Sequence, residues 1–221
     1  MSETSTLYDG LPQVTLIDHP MVQHKLSILR NKETSSKQFK ELIKELAMFI
    51  GYEATRHFQL EPIEIETPIC KMTAQTLKGR KVAVVPILRA GLGMVEGILE
   101  LIPAARVGHI GIYRDPTTHL PVEYYCKLPE DIDTREVLII DPMLATGGSA
   151  SAAIEFIKAR KVPSTQIRLL VIIAAPEGIQ KVMETDPDVH IYTCTIDECL
   201  NDHAYIVPGL GDAGDRIFGT K

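Results

Sequence analysis

Nine consecutive residues carry the clearest chemical meaning in this chain: Asp141-Pro142-Met143-Leu144-Ala145-Thr146-Gly147-Gly148-Ser149. They stand between the apolar run Val137-Leu138-Ile139-Ile140 and a helical pattern from Ala150 to Lys161. An acid ends a buried strand, a glycine-rich loop follows, and a helix begins. Backbone N–H groups of such a loop, with the positive end of the helix dipole, hold a phosphate. Thr146 and Ser149 add hydroxyl donors, Gly147 and Gly148 let the backbone come close, and Asp141 can accept hydrogen bonds from ribose hydroxyls. The chemistry suggested is the binding of a phosphorylated ribose. A Walker A loop needs a Lys that is missing after Gly148, and the G-x-G-x-x-G spacing of a dinucleotide loop is also missing. Taken alone, the loop has a plainer alternative, a strand–helix turn with glycine for geometry.

Other candidate groups follow the same strand-to-loop pattern. Leu88-Arg89-Ala90-Gly91 leaves an apolar run and enters a helical pattern, and an Arg there can fork onto phosphate oxygens. Arg114 follows another apolar run and opens a segment, 113–127, with two prolines and several polar residues at its tip. Such a hairpin could close over a site and exclude water. His119, at the tip, reads as a solvated loop histidine. Gly91, Gly93 and Gly97 miss the dinucleotide fingerprint by one residue and read as turn and packing positions. Gly209 to Gly214 matches that fingerprint letter for letter, but no long helical pattern follows it. Four cysteines stand at 70, 126, 194 and 199 without a C-x-x-C pair. Cys194, Cys199 and His203 could be drawn as zinc ligands, but Cys194 lies on a strand pattern and reads as a core thiol.

These groups need a frame. Residues 1–18 read as an irregular leader, Met21 to Arg30 as a short helix, and Ser36 as the cap of a longer one. That second helix would bury Phe39, Leu42, Ile43, Leu46, Ala47 and Ile50. Strands are expected at 63–67, 81–88, 106–113, 122–127, 136–140, 167–174 and 190–196, and further helices at 91–101, 150–161 and 176–184. Alternating strands and helices predict a parallel sheet covered on both faces, with ligands at the carboxyl ends of its strands. Arg89, Arg114 and the Asp141 loop then converge on one rim. The chain shows no internal repeat or linker, so one domain over residues 1–221 is expected.

Composition narrows the function classes. With 221 residues and 45% hydrophobic content, the chain can bury a full core. Its net charge of −6 argues against a nucleic-acid footprint. The run Leu169 to Ala175 is too short to cross a bilayer, and the first residues lack the features of a secretory signal. A cytoplasmic protein with reduced cysteines, without nucleic-acid or membrane partners, is the expectation.

The apolar run, acid, small residues and Thr-Gly-Gly-Ser together resemble the phosphoribosyl diphosphate signature of type I phosphoribosyltransferases. Asp141-Pro142, where most of that superfamily has two adjacent acids, resembles the uracil phosphoribosyltransferase branch. Val85 to Gly93, Ala174 to Gly178, Tyr205 to Asp215 and Phe218 to Lys221 are similar to that branch as well. The resemblance implies an α/β parallel-sheet phosphoribosyltransferase fold with a β-hairpin flap over 113–127 and a C-terminal base-binding hood over 200–221. It implies conversion of uracil and phosphoribosyl diphosphate to UMP and diphosphate, with Mg²⁺ brought mainly by the phosphoribosyl diphosphate. By carry-over, that substrate is held by Arg89, Arg114, Asp141 to Ser149 and Asp212, and the base by Ile206, Gly211, Asp212 and Ala213. Arg89, Arg114 and Asp212 are the implied catalytic groups, and a cis non-proline bond is expected near Arg89. Uracil presents acceptor, donor, acceptor along its O2–N3–O4 edge, which a glycine-rich main chain can match. The resemblance also implies a homodimer or higher homo-oligomer, and GTP as an activator in some members. Two alternatives remain: a regulator of the same fold that binds nucleic acid, and a related transferase acting on a purine or orotate.

Overall fold

The computed structural model describes residues 6–8, 10–79, 82–114 and 121–220; for Thr6–Tyr8, Arg114, Pro121 and Glu123 it describes the backbone only. The elements in chain order are β1 (Thr6–Tyr8), β2 (Leu11–Leu16), α1 (Pro20–Arg30), α2 (Ser36–Ala54), β3 (Leu60–Glu66), β4 (Lys71–Leu77) and β5 (Val82–Leu88). Then come α3 (Leu92–Leu101), β6 (Arg106–Val107), β7 (His109–Arg114), β8 (Pro121–Lys127), β9 (Glu136–Ile140), β10 (Met143–Leu144) and α4 (Gly148–Lys158). The chain closes with β11 (Ile167–Ala174), α5 (Pro176–Thr185), β12 (His190–Ile196), β13 (Cys199–Leu200), β14 (Ile206–Val207) and α6 (Ala213–Phe218).

The main sheet runs β1-β2-β12-β11-β9-β5-β7-β8. From β2 to β7 every pairing is parallel, and the two edges, β1 and β8, are antiparallel. The strands explain the two-sided cover. Along β5, Val82 and Val84 enter one core while Ala83, Val85 and Ile87 enter the other. Along β9, Leu138 and Ile140 separate in the same way from Val137 and Ile139. This period of two in runs that are apolar throughout buries both faces of the sheet. Helices α1, α2, α3 and α6 contribute to the first core, α4 and α5 to the second. The predicted stripe of α2 is buried at all six positions. A Cβ at Gly97 would stand 2.1 Å from Lys44 O, so this residue lets α3 approach α2 closely.

Several sequence expectations need correction. The irregular leader contains strands: β2 runs parallel to β12 with Val14 beside Ile191, and Val14 is fully buried. Pro12, Gln13 and Thr15 hide that strand's apolar pattern in the sequence. Ser35, one residue before the expected Ser36, caps α2 and accepts from Gln38 N at 3.3 Å. The strand expected over 106–113 divides at Gly108, whose N–H donates to Val84 O. Helix α4 starts at Gly148 instead of Ala150, because Gly147 supplies the turn. The strand expected at 63–67 has an unforeseen partner, β4, in a separate hairpin. That hairpin exposes Leu60, Ile63, Ile65, Ile69, Met72 and Leu77. The expected flap is present at its base as the antiparallel pair β7–β8, and its tip, 115–120, lies outside the described residues.

Candidate active site

Three strands deliver candidate groups at their carboxyl ends on one rim: β5 leads into Arg89, β7 ends at Arg114 and β9 leads into Asp141. The loop after β9 is fixed first by backbone pairing. Pro142 O accepts from Ile172 N and Ile173 N at 3.1 Å, and Leu144 O accepts from Ala175 N at 2.9 Å. Pro142 and Leu144 are buried and hold the first half of the loop on the sheet, while Met143 is half-buried. Ala145, Thr146 and Gly148 are half-buried and Ser149 is exposed, so this second half faces outward.

Gly147 makes that turn possible. Its φ is 79°, and a Cβ would stand 2.8 Å from Gly178 O and 2.8 Å from Lys181 Cβ. No other residue type satisfies both restraints. As the cap of α4 it also offers no side chain, so the first-turn N–H groups of this 11-residue helix are free to meet an anion.

Asp141 is the electrostatic centre of the rim. Its N–H donates to Leu170 O at 3.2 Å, and its Oδ1 accepts from Met143 N at 3.4 Å. Burial pushes its pKa up to about 7; the hydrogen bond from Met143 opposes that rise, and the neighbouring Asp212 carboxylate adds to it. The carboxylates of Asp141, from the middle of the chain, and Asp212, from its C-terminal segment, are thus close enough to act on each other's charge. Their hard oxygens suit a magnesium ion. Among the described residues no group of three or more His, Cys, Asp or Glu forms a metal cage. Two carboxylates supply only part of a magnesium ion's six-oxygen shell.

Arg89 follows the cis peptide Leu88–Arg89, as expected for this position. Its side chain is exposed, 3.9 Å from Asp215 Oδ1 and 6.0 Å from the Phe218 ring. Arg89 is therefore next to the C-terminal segment as well as the loop rim. Arg114 lies at the end of β7 on the same side of the sheet.

The C-terminal segment packs as a small hairpin, β13–β14, followed by a turn through Gly209 and Gly211 and by α6. Asp212 caps α6 by accepting from Asp215 N at 2.8 Å, and it is exposed. Gly211 is exposed too, whereas Ile206 and Ala213 are packed into the core. Gly211 and Asp212 are the predicted base contacts open to a ligand. An open cavity of about 350 Å³ adjoins them, walled by Lys32, Thr34, Ser36, Tyr205, Asp215 and Arg216. Cys194 is a fully buried thiol, while Cys199 and His203 are exposed, as the core reading requires.

Sequence reasoning missed three residues that hold the turn. Arg30 donates to both oxygens of Asp197 (2.8 and 2.5 Å) and to Gly209 O at 2.8 Å. Gly209 N donates to Asp197 Oδ2 at 2.9 Å. Arg216 donates to Leu210 O at 2.9 Å and to Asn31 O at 2.7 Å, stacked over the Phe39 ring at 4.2 Å. One signal was available for Asp197: it follows the β12 pattern and so belongs on the same rim. Arg30 and Arg216 sit on ordinary helix positions.

Comparison with known proteins agrees with this arrangement. The family described as uracil phosphoribosyltransferase matches residues 16–220. A uracil phosphoribosyltransferase of Alkaliphilus oremlandii is 63% identical over 211 residues, covering 96% of this chain and 100% of its own. The structure of the AQ2163 protein from Aquifex aeolicus has a TM-score of 0.88 at 38% identity, over 94% of this chain and 99% of that one. An adenine phosphoribosyltransferase structure from Trypanosoma brucei has a TM-score of 0.58 at 13% identity, over 94% of this chain and 91% of that one, a likeness of fold. The rim of loops, the mostly parallel sheet beneath it and the match over residues 16–220 place this chain in the uracil phosphoribosyltransferase family.

Proposed function

We propose that this protein transfers the phosphoribosyl group of phosphoribosyl diphosphate to uracil, giving UMP and diphosphate. The observation that carries the reading is the approach of the C-terminal segment to the strand rim, with Arg89 3.9 Å from Asp215 Oδ1 and Asp212 close enough to act on the charge of Asp141, in a chain of this family. It joins a phosphate loop to a base loop from a distant part of the sequence. The loop Ala145–Ser149 and the start of α4 hold the 5′-phosphate, and Asp141 accepts from the ribose hydroxyls. Uracil lies against the main chain near Gly211 and Asp212. A cytosine there would leave buried groups unpaired.

Uracil N1 then bonds to C1′ as the C1′–oxygen bond breaks and its electron pair leaves with diphosphate. Holding both substrates on one rim supplies most of the acceleration, and charge stabilisation supplies the rest. Arg89 and Arg114, at the carboxyl ends of β5 and β7, are the cations assigned to the departing diphosphate. Asp141 and Asp212 are the protein carboxylates that would hold a magnesium ion here, which when bound would supply charge neutralisation to the leaving diphosphate. The flap over 113–127 excludes water from the developing cation.

The same reading includes a cytoplasmic location, a homo-oligomer and GTP as an activator. The apolar residues exposed on the β3–β4 hairpin support association between copies. No helix among the described residues is long and apolar enough to cross a membrane.

The test is diphosphate release from phosphoribosyl diphosphate and Mg²⁺, with uracil, cytosine, orotate and hypoxanthine offered separately, and with GTP added or omitted. Release with uracil alone, giving UMP, is the expected result. Release with orotate or a purine instead would establish the related-transferase reading. No release with any base would favour a binding protein of the same fold.

A further inference from the structure

Outside the residues that face the substrates, one buried carboxylate is engaged on every side. Asp197 has a side chain only 3% exposed, yet it lies at the end of β12, beside the loop that follows β14. Its Oδ2 accepts from Gly209 N and from Arg30, its Oδ1 accepts from Arg30, and Arg30 returns a bond to Gly209 O. The ring is closed. Both polar groups of the Gly209 backbone are bound by one ion pair, and that pair is anchored on α1 and β12.

We infer that Arg30 and Asp197 are positioning residues for the base, a clamp that sets where the main chain of Leu210, Gly211 and Asp212 stands. This inference rests on the reading that uracil binds at that turn. The physical argument is one of order. A loop that recognises a base through its own N–H and C=O groups gains affinity only if those groups are already in place, because ordering them on binding costs free energy. Leu210 is packed in the core, but Gly209 and Gly211 on either side of it have no side chain to pack, so packing alone leaves their peptide groups unoriented. A bidentate guanidinium–carboxylate pair can, since its fork geometry fixes direction as well as distance. The clamp grips the buried Gly209, two residues before the exposed Gly211. It can act on the base without touching it. The hydrogen bonds that Arg30 and Asp197 make to the turn all go to Gly209, so the effect should fall on one substrate alone.

The test compares wild type with Asp197→Asn, Arg30→Lys and Arg30→Ala. In Asp197→Asn and Arg30→Ala, KM for uracil should rise about tenfold while KM for phosphoribosyl diphosphate stays within about twofold. Arg30→Lys, which keeps the charge and loses the fork, should fall between wild type and Arg30→Ala. Amide hydrogen exchange supplies a readout independent of turnover. Exchange at residues 209–212 should quicken in the variants while exchange at 145–149 keeps its wild-type rate. A parallel rise in both KM values, or unchanged exchange at 209–212 in Asp197→Asn and Arg30→Lys, would overturn the clamp. A wild-type protein that makes no UMP would instead overturn the functional reading. Should Arg30→Ala fail to fold, Arg30→Lys and Asp197→Asn decide the question.

Discussion

Residues 141–149 and residues 206–213 sit on the same rim, and the chain holds them in different ways. The first loop is fixed by its neighbours in the sheet: Pro142 O and Leu144 O are paired with the backbone of β11, and Gly147 makes the turn into α4. The second loop is fixed by side chains from far away in sequence. Arg30 reaches Gly209 across 179 positions, and Arg216 joins Leu210 to Asn31. On the proposed function, a phosphate would be met by N–H groups whose direction follows from strand, turn and helix. A flat base would be met by a main chain with no regular structure to orient it, which charged side chains orient instead.

The sharpest way to break the first arrangement is to fill Gly147. Gly147→Val combines a φ of 79° with a Cβ 2.8 Å from Gly178 O, and β-branching worsens both. We expect kcat/KM for phosphoribosyl diphosphate to fall about 1000-fold, about 4 kcal/mol. Thermal unfolding and steady-state kinetics check it. Retained activity would show that the loop does not carry the phosphate.

Asp212→Asn tests where the two arrangements meet. Asn caps a helix as well as Asp does, so α6 should stand and thermal unfolding should shift little. What is lost is the charge beside Asp141. We expect activity to fall about 100-fold, about 2.7 kcal/mol. Turnover near wild type would remove Asp212 from the reaction.

How much of this was readable follows from the same contrast. The sheet's order of strands and helices came through because its runs are long and apolar, and β5, β9, β11 and β12 lie within a residue of their expected bounds. The phosphate loop was readable because acid, glycines and hydroxyls are adjacent in sequence. The glycine-rich base loop was recognisable by its resemblance, but its supports were not. Arg30, Asp197 and Arg216 are ordinary charged residues until folding places them around one turn. Strands β2 and β4 were missed because polar residues interrupt one and the other is exposed along its length, which removes the alternation that betrays a buried face.

Arg89→Ala isolates the leaving group. Arg89 is exposed and only loosely held by Asp215 at 3.9 Å, so its removal should leave the fold unchanged. We expect about a 30-fold loss in kcat/KM for phosphoribosyl diphosphate, about 2 kcal/mol, with little change in KM for uracil. Equal losses for both substrates would mean that Arg89 supports the base loop through the Asp215–Phe218 side instead.

The smallest expected effect concerns stability and carries a definite sign. Asp141 has a folded pKa of about 7, above the ordinary carboxylate value of 3.8. Between those two pH values the folded state holds a proton that the unfolded state has released. Wild-type stability, as far as Asp141 contributes, therefore falls as pH rises from about 4 to about 7 and is level beyond both ends. Asn at this position does not titrate. The advantage of Asp141→Asn in unfolding temperature should thus be larger at pH 8 than at pH 4.5. Partial solvent access to the carboxylate limits the difference to about 1 kcal/mol, about 3 °C for a chain of this size. Asp212→Asn, by removing the like charge, should lower the pKa of Asp141 and shift the upper end of that window downward. A pH-independent difference between wild type and Asp141→Asn would mean that burial does not raise the Asp141 pKa; a window left unmoved by Asp212→Asn would mean that the two carboxylates do not share the rim, and the junction between phosphate loop and base loop would have to be drawn elsewhere.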